Sequence, residues 1–518
     1  MTTSQHPGAV PPRRSAAVYG LRRTAAQAAR VFRPSDGTGV LQLSPDEVDP
    51  TTARKVLDLA MRVAEMMLSH GASANDVTVN ALRITRAYDL RSVHVDVTYT
   101  SIYVSYYRGH DREPLTTFRV VRARSIDYTR LQRLQGLVSR IGEGLPVDEA
   151  FDLFAAIVRA PHPYRRWVVT VANAGVAASV CVLLNASPLI ILIAFLASAA
   201  IDLLMGWLAK KQVPTFFVQA LGASIPTLAA IGLMKLAYDQ VSWLGDIRPE
   251  LIVAGGVVLM LSGLSAVGAA QDAIDGYYVT AGARTYEVLV LTLGIVVGIL
   301  ASLQLGDRLG VPVVLSGAAP PVGNLAQQIG GSLLISMFFA ASTYAGPRTV
   351  VLCGGMGVLG WLGYLGGTLV GLGTVSASAL GAFVPALLSV PMARRLQVPS
   401  LALITAALVP LMPGSMVYRG ILEIVAHTGS KTSFGDGAMT LFNAAGVGMA
   451  LAAGASLGTY LARPGRANLR HAGPRGGASA AETSISPDSP DAQRTTARAE
   501  EATTGTLPVV RHPHDQHG

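Results

Sequence analysis

The sequence predicts a mostly helical, polytopic membrane protein: ten transmembrane helices as two inverted five-helix repeats, preceded by a small cytoplasmic α+β domain. Three observations predict it. Of 518 residues, 50% are hydrophobic and only 14% charged, against about 25% charged in an ordinary soluble domain, and the mean hydropathy is +0.42. The 54 glycines suit helices that pack closely in lipid. The polar residues collect in residues 1–166 and again after Arg463, leaving a long apolar stretch between them.

Residues 1–50 are rich in Pro, Ser, Gly and Arg and read as a disordered basic arm. The segment 13–32 is equally compatible with a basic helix lying on anionic lipid. Arg13-Arg14 is not followed by an apolar h-region, so the N-terminus is expected to stay in the cytoplasm.

Residues 51–166 carry the pattern of a compact domain. Val56, Leu59, Ala60, Val63 and Met67 recur at helical spacing, and Gly71 is the stop. A second helix fits "NDVTVNALRITRAYDL". "VHVDVTY" and "SIYVSYY" alternate with period two, and "TTFRVV" makes a third strand. His94 and Asp96 fall on the face opposite Val93, Val95 and Val97, a solvated strand face rather than a catalytic pair. Helices follow at 127–140 and 147–158. The domain shows no nucleophile motif, P-loop or metal spacing, so no enzyme activity, metal or cofactor is expected.

The membrane part reads as spans at 167–184, 188–208, 215–236, 251–271, 284–303, 326–345, 348–365, 367–390, 399–418 and 438–461. Each is long enough for a hydrocarbon core of about 30 Å. With the domain inside, Arg165, Arg166, Lys210, Lys211, Arg284, Arg348, Arg394, Arg395, Arg463 and Arg466 fall on the cytoplasmic side. Only Arg248, Arg308, Arg419 and Lys431 fall opposite, which satisfies the positive-inside rule with both termini cytoplasmic. Five spans per half forces the halves into opposite orientations. The repeats run 167–303 and 326–462, joined by an extracytoplasmic linker at 304–325 and followed by a disordered tail at 463–518. Cys181 and Cys353 lie in apolar runs and read as small packing residues. The net charge of +9 is taken up by orientation, and no nucleic-acid partner is expected.

Span four contains "VVLMLSGLSAV" and span nine "LVPLMPGSMVY". Leu259, Met260 and Gly263 correspond to Leu411, Met412 and Gly414 with a spacing difference of one. Paired Gly and Pro interruptions in equivalent helices point to a central site, although kinks that serve only packing give the same pattern. The substrate-path candidates are therefore Ser262, Gly263, Pro413 and Gly414, with Asn173 and Asn443 as uncharged hydrogen-bonding groups. Asp202 is the one carboxylate well inside a span. It reads either as a proton carrier or as an interfacial acid reaching water or Lys210. Asp272 and Asp275, three apart and on one helical face, close span four ahead of Arg284. They read as a pair that holds an ammonium group or a proton, or as ordinary interfacial residues.

Together, "MMLSHGASANDV" (66–77), "VHVDVTYTSIYVSYYRG", "LSGLSAVGAAQDAIDGYYVTAGAR" and "LMPGSMVYRG" resemble the bacterial threonine/serine exporter family over about residues 52–462. Ser262-Gly263 stands where the family has Pro-Gly, and Asp76 where a Glu is expected. The resemblance implies secondary efflux of threonine and serine, driven by the proton motive force, across the cytoplasmic membrane. On the family pattern Asp272, Gly276 and Arg284 fall in the first half, and Pro413 and Gly414 in the second. Asp272 is the first candidate for coupling, Asp202 the second and Asp275 the third. Protons and membrane lipid are the further partners, and a homo-oligomer is compatible with the sequence. The alternatives are a dicarboxylate exporter of the same superfamily, or a membrane-anchored enzyme or sensor acting through residues 51–166.

Overall fold

The computed structural model describes residues 48–108, 113–121, 125–238, 248–258, 260, 263–311, 322–426 and 431–462. The basic arm, Leu259, Ser262, most of the linker and the C-terminal tail lie outside the described residues, and so do the expectations for them.

The N-terminal domain forms because its caps and periodicities agree. Asp49 accepts the backbone N–H groups of Thr51 and Thr52 and starts α1 (Pro50–Ser69). Val56, Leu59, Ala60, Val63 and Met67 are buried, as their spacing predicts. Gly71, at φ 95°, turns the chain, and Ser73 caps α2 (Ala74–Ala87). Strands β1 (Val93–Thr98), β2 (Ser101–Tyr106) and β3 (Leu115–Val120) form an antiparallel meander in chain order, with Val95 opposite Val104 and Tyr103 opposite Phe118. Ile102, Val104 and Tyr106 point into the core, where α1 lies over β2 and β3 and α2 over β1. His94 and Asp96 are exposed on the other face. Two further helices, α3 (Tyr128–Gly142) and α4 (Val147–Arg159), complete the domain.

The apolar region forms α5 (Arg166–Leu183), α6 (Pro188–Lys210), α7 (Thr215–Tyr238), α8 (Pro249–Val257), α9 (Gly263–Ile274) and α10 (Tyr278–Arg308). After the linker come α11 (Leu325–Ser342), α12 (Pro347–Leu369), α13 (Thr374–Leu396), α14 (Ser400–Leu408), α15 (Gly414–Ala426) and α16 (Lys431–Ala462). Among the described residues, eight helices are long and apolar enough to cross a membrane. The fourth and ninth apolar runs are instead each split into two short helices. The helix lengths recur along the chain: 18, 23, 24, 9, 12 and 31 residues, then 18, 23, 23, 9, 13 and 32.

One expected boundary is wrong. Gly366-Gly367 does not separate spans seven and eight; both lie inside α12, and the turn is Val370–Gly373, with Gly371 at φ 84°. Gly367 is instead a packing position, because a Cβ there would crowd Ala377 of α13. The first half also ends later than expected, since α10 continues to Arg308.

Glycines set the close packing. Gly294 and Gly298 of α10 lie against the carbonyl oxygens of Phe216 and Ala220 on α7. Gly454 and Gly458 of α16 lie in the same way against the carbonyls of Ala379 and Phe383 on α13. Both seams use a Gly-x-x-x-Gly spacing, which lets two backbones approach without intervening side chains. At the centre, α5 meets α11: Gly175 faces Phe338 and Gly331 faces Leu183, so these two helices run antiparallel. Cys181 and Cys353 are buried free thiols that donate to the carbonyls of Leu251 (3.7 Å) and Ala402 (3.5 Å), anchoring the first turns of α8 and α14.

The seams carry a direct test. Gly298→Ala and Gly454→Ala each place a methyl group against a backbone carbonyl that cannot rotate away, and should cost about 1–3 kcal/mol. Gly282→Ala on α10 meets nothing within 4 Å and should be neutral. Thermal unfolding of the three detergent-solubilised variants measures the difference.

Candidate functional site

The two interrupted runs meet. Pro410 and Pro413 lack the N–H a continuous helix needs. The chain after α14 tightens into a 3-10 turn at Val409–Leu411, becomes extended at Met412 and restarts as α15 at Gly414. In the first half, α8 ends at Val257 and α9 restarts at Gly263. A Cβ on Gly263 would lie 3.0 Å from Met412 Sδ, so the two interruptions face one another across the bundle. Two helix C-termini (α8, α14) and two N-termini (α9, α15) therefore belong to the interrupted runs. Helix C-termini offer carbonyl oxygens and partial negative charge; N-termini offer amides and partial positive charge. Of the substrate-path candidates, Gly263, Pro413 and Gly414 are at this meeting point. Ser262 lies outside the described residues.

Asp272 and Asp275 have different surroundings. Asp272, in the last turn of α9, has a side chain only 1% exposed and lies 2.7 Å from Arg284 Nη1 of α10, itself 13% exposed. The guanidinium lies along α9, because a Cβ on Gly268, one turn before Asp272, would come within 3.2 Å of Arg284 Nη1. Asp275 is exposed beyond the helix end. Gly276, at φ 91°, makes the turn between α9 and α10 there.

Asp202 does not reach Lys210. It faces α5, where Arg166, Thr170 and Asn173 recur at spacings of four and three and so share one helical face. Arg166 Nη2 lies 3.1 Å from both carboxylate oxygens, Thr170 Oγ1 donates to Oδ2 at 2.6 Å, and Asn173 Nδ2 donates to Oδ1 at 2.9 Å. Asn173 is thus a ligand of Asp202. Trp361 stands on α12 where Asp202 stands on α6, each fourteen residues after the opening proline. Its indole N–H donates to Gln328 Oε1 of α11 at 3.0 Å. Asn443 is exposed on α16 and joins none of these groups. Gln219 on α7 is buried, and its Oε1 accepts no hydrogen bond among the described residues. Among those residues, no group of His, Cys, Asp and Glu could hold a metal ion.

Residues the sequence did not single out join the domain to this machinery. Tyr128, buried at the start of α3, hydrogen-bonds Thr405 Oγ1 on α14, and its N–H donates to the Thr343 carbonyl. Thr405 gives its own proton to Leu401 O at 2.7 Å, so the Tyr128 hydroxyl is the donor. Burial raises the Tyr128 hydroxyl well above the usual phenol range, keeping it protonated as that donor. Gln132 donates to the Gln397 carbonyl, and His162, bonded to buried Asp127 at 2.8 Å, stacks on Tyr344. On the other side of the domain, Tyr99 N–H donates to Thr280 Oγ1 (3.0 Å), which donates to Val97 O (3.2 Å). The domain thus grips the turns between α9 and α10, α11 and α12, and α13 and α14, all at one end of the bundle.

Residues 58–306 match the family described as "Putative threonine/serine exporter", and residues 328–461 the family described as "Threonine/Serine exporter, ThrE". The gap between the two matches falls on the linker between α10 and α11. The chain is 36% identical over 427 residues to a "Probable threonine/serine exporter" of Mycobacterium tuberculosis, covering 80% of this chain and 78% of that relative. It is 32% identical over 423 residues to a "Threonine/serine exporter" of Corynebacterium glutamicum, covering 81% and 84%. No solved structure matches it.

Tyr128→Phe keeps the ring packing and removes one hydrogen bond, while Thr405 keeps its bond to Leu401. The cost should be about 1 kcal/mol. Hydrogen exchange should show faster amide opening in residues 400–408, with α13 unchanged. Unaltered exchange in α14 would mean that the domain does not hold it.

Proposed function

The chain belongs to the threonine/serine exporter family, and from that premise we propose that it carries threonine and serine out of the cytoplasm, driven by the proton motive force. That it is a multi-pass membrane exporter rather than an enzyme follows from the family and the apolar helices. The observation that carries the transport route is the meeting of Gly263 with Met412. In this reading α8 with α9, and α14 with α15, each make one crossing. The count is then ten, in two inverted halves, α5–α10 and α11–α16, with both termini on the cytoplasmic side of the cytoplasmic membrane. The recurring helix lengths, the antiparallel α5–α11 contact and the domain's grip on turns at one end of the bundle all support this count.

A threonine or serine zwitterion fits four helix ends. Its carboxylate suits the amides of α9 and α15, its ammonium the carbonyls of α8 and α14, and its hydroxyl a group such as Gln219. Asp272 is the first candidate for proton coupling, because it is buried against Arg284 and follows the interruption on the same helix. Protonating it would cancel its hold on Arg284. Asp202 is second, its charge already matched by Arg166, Thr170 and Asn173. Asp275 is third and, being exposed, reads as a neighbour in water. A dicarboxylate substrate would favour a fixed cation free to meet it, whereas the buried guanidinium of Arg284 faces Asp272.

Cells loaded with threonine- or serine-containing peptides should export the free amino acid through this chain, and an uncoupler should suppress that export. Equal efflux from a strain lacking the chain would sink the reading. Asp272→Asn that reaches the membrane should slow export at least about tenfold, the scale expected when one partner of a buried ion pair is lost. A normal rate and pH dependence would remove Asp272 from the mechanism.

A further inference from the structure

Equivalent places in the two interrupted runs carry equivalent chemistry. Asp272 comes nine residues after Gly263, the first residue of α9, and Glu423 nine residues after Gly414, the first of α15. Each is a carboxylate on the second piece of its run, and each reaches the long helix that follows. Asp272 meets Arg284 of α10. Glu423 Oε2 accepts a hydrogen bond from Thr440 Oγ1 of α16 at 3.0 Å. The two helices are drawn together there by glycines, since a Cβ on Gly420 would lie 3.0 Å from the Gly437 carbonyl oxygen. Glu423 is therefore half-buried in a helix contact. Arg419, one turn earlier on α15, interacts with it electrostatically.

Resting on the proton-coupled reading with inverted halves, we propose that Glu423 is the outward-facing counterpart of Asp272, a proton-accepting carboxylate that ties α15 to α16 and releases it when protonated. The inversion puts the two acids at opposite ends of the bundle, Asp272 toward the cytoplasm and Glu423 toward the outside. A proton taken from the outer water by the Glu423 carboxylate removes its charge. Its attraction for Arg419 is lost, and Thr440 faces a weaker acceptor. The piece α15 can then shift against α16 about the turn at Met412-Pro413. At the inner end, loss of a proton from Asp272 restores its ion pair with Arg284 and holds α9 to α10. One carboxylate at each end lets protons enter from outside and leave inside while the amino acid moves the other way.

Among the described residues, the other charged groups near Glu423 are placed differently. On α16, Asp436 is exposed and gives Thr440 only its backbone carbonyl as a partner. The charged residues at the end of α10, which also packs on α15, are Asp307 and Arg308, both exposed. Arg419 stays protonated at any working pH.

The test uses the full chain in proteoliposomes loaded with threonine, with efflux measured while internal and external pH are varied separately. The wild type should export faster as external pH falls. Glu423→Gln should lose that dependence, flattening a change of about tenfold per unit to less than twofold, and keep the dependence on internal pH. Thr440→Val, which keeps the carboxylate but removes its donor, should move the external profile toward higher pH without abolishing it, and serves if the first variant folds poorly. A Glu423→Gln or Thr440→Val protein with the wild-type external profile overturns the proposal. A wild type that exports threonine with no response to pH on either side overturns proton coupling itself, and the proposal with it.

Discussion

Hydrocarbon offers no hydrogen bonds, so a helix that stops inside a membrane must find protein partners for the backbone groups it frees. This constraint orders the rest of the molecule. Two interrupted runs would each leave up to four carbonyls where the first piece ends and up to four amides where the second begins without helical partners, so neither can face lipid. They are turned inward and against one another. Seven of the nine residues of α8 and six of the nine of α14 are buried, whereas α6, long and uninterrupted, buries few. The full-length helices enclose the interruptions. Glycine seams bring α10 onto α7 and α16 onto α13, backbone to backbone.

Charge is placed under the same rule. A lone carboxylate in a span is expensive, and the acids away from water have donors built around them. Asp202 has three from one face of α5, and Asp272 has Arg284. The helix lengths recur between the halves, but the Asp202 position is not repeated. Where α6 carries Asp202, α12 carries Trp361 bonded to a neutral glutamine.

Much of this was legible in the residues. The domain's helices and strands follow periods of 3.6 and 2 that the core confirms, and Gly71 stops its helix because the turn there requires a positive φ. The interruptions were legible because proline and glycine change the backbone wherever they stand. The partner of Asp202 was not: Arg166 lies 36 positions earlier, and nothing periodic connects them. Lys210 was the nearer cation in the chain, but it lies about 12 Å further along α6 at 1.5 Å per residue. Gly366 and Gly367 lie inside α12 rather than between spans, since glycine serves close packing and chain reversal equally well. The Gly-x-x-x-Gly pairs at 294 and 298, and at 454 and 458, were a signal for the seams that hydropathy alone passes over. Glu423 gained meaning only once the start of α15 was known, since its equivalence with Asp272 is counted from there.

The N-terminal domain ties itself to α14, and to the turn between α9 and α10, by hydrogen bonds that Tyr128 and Tyr99 donate and that the Val97 carbonyl accepts from Thr280. It therefore holds α14 and the start of α10. Reactivity at the meeting point is the most direct measure of the transport route. Cys181 and Cys353 are buried, so a cysteine introduced as Met412→Cys can be followed with a small water-soluble thiol reagent. Saturating threonine should slow its labelling several-fold. Labelling at one rate with and without threonine, or none under any condition, would contradict a solute path between Gly263 and Met412.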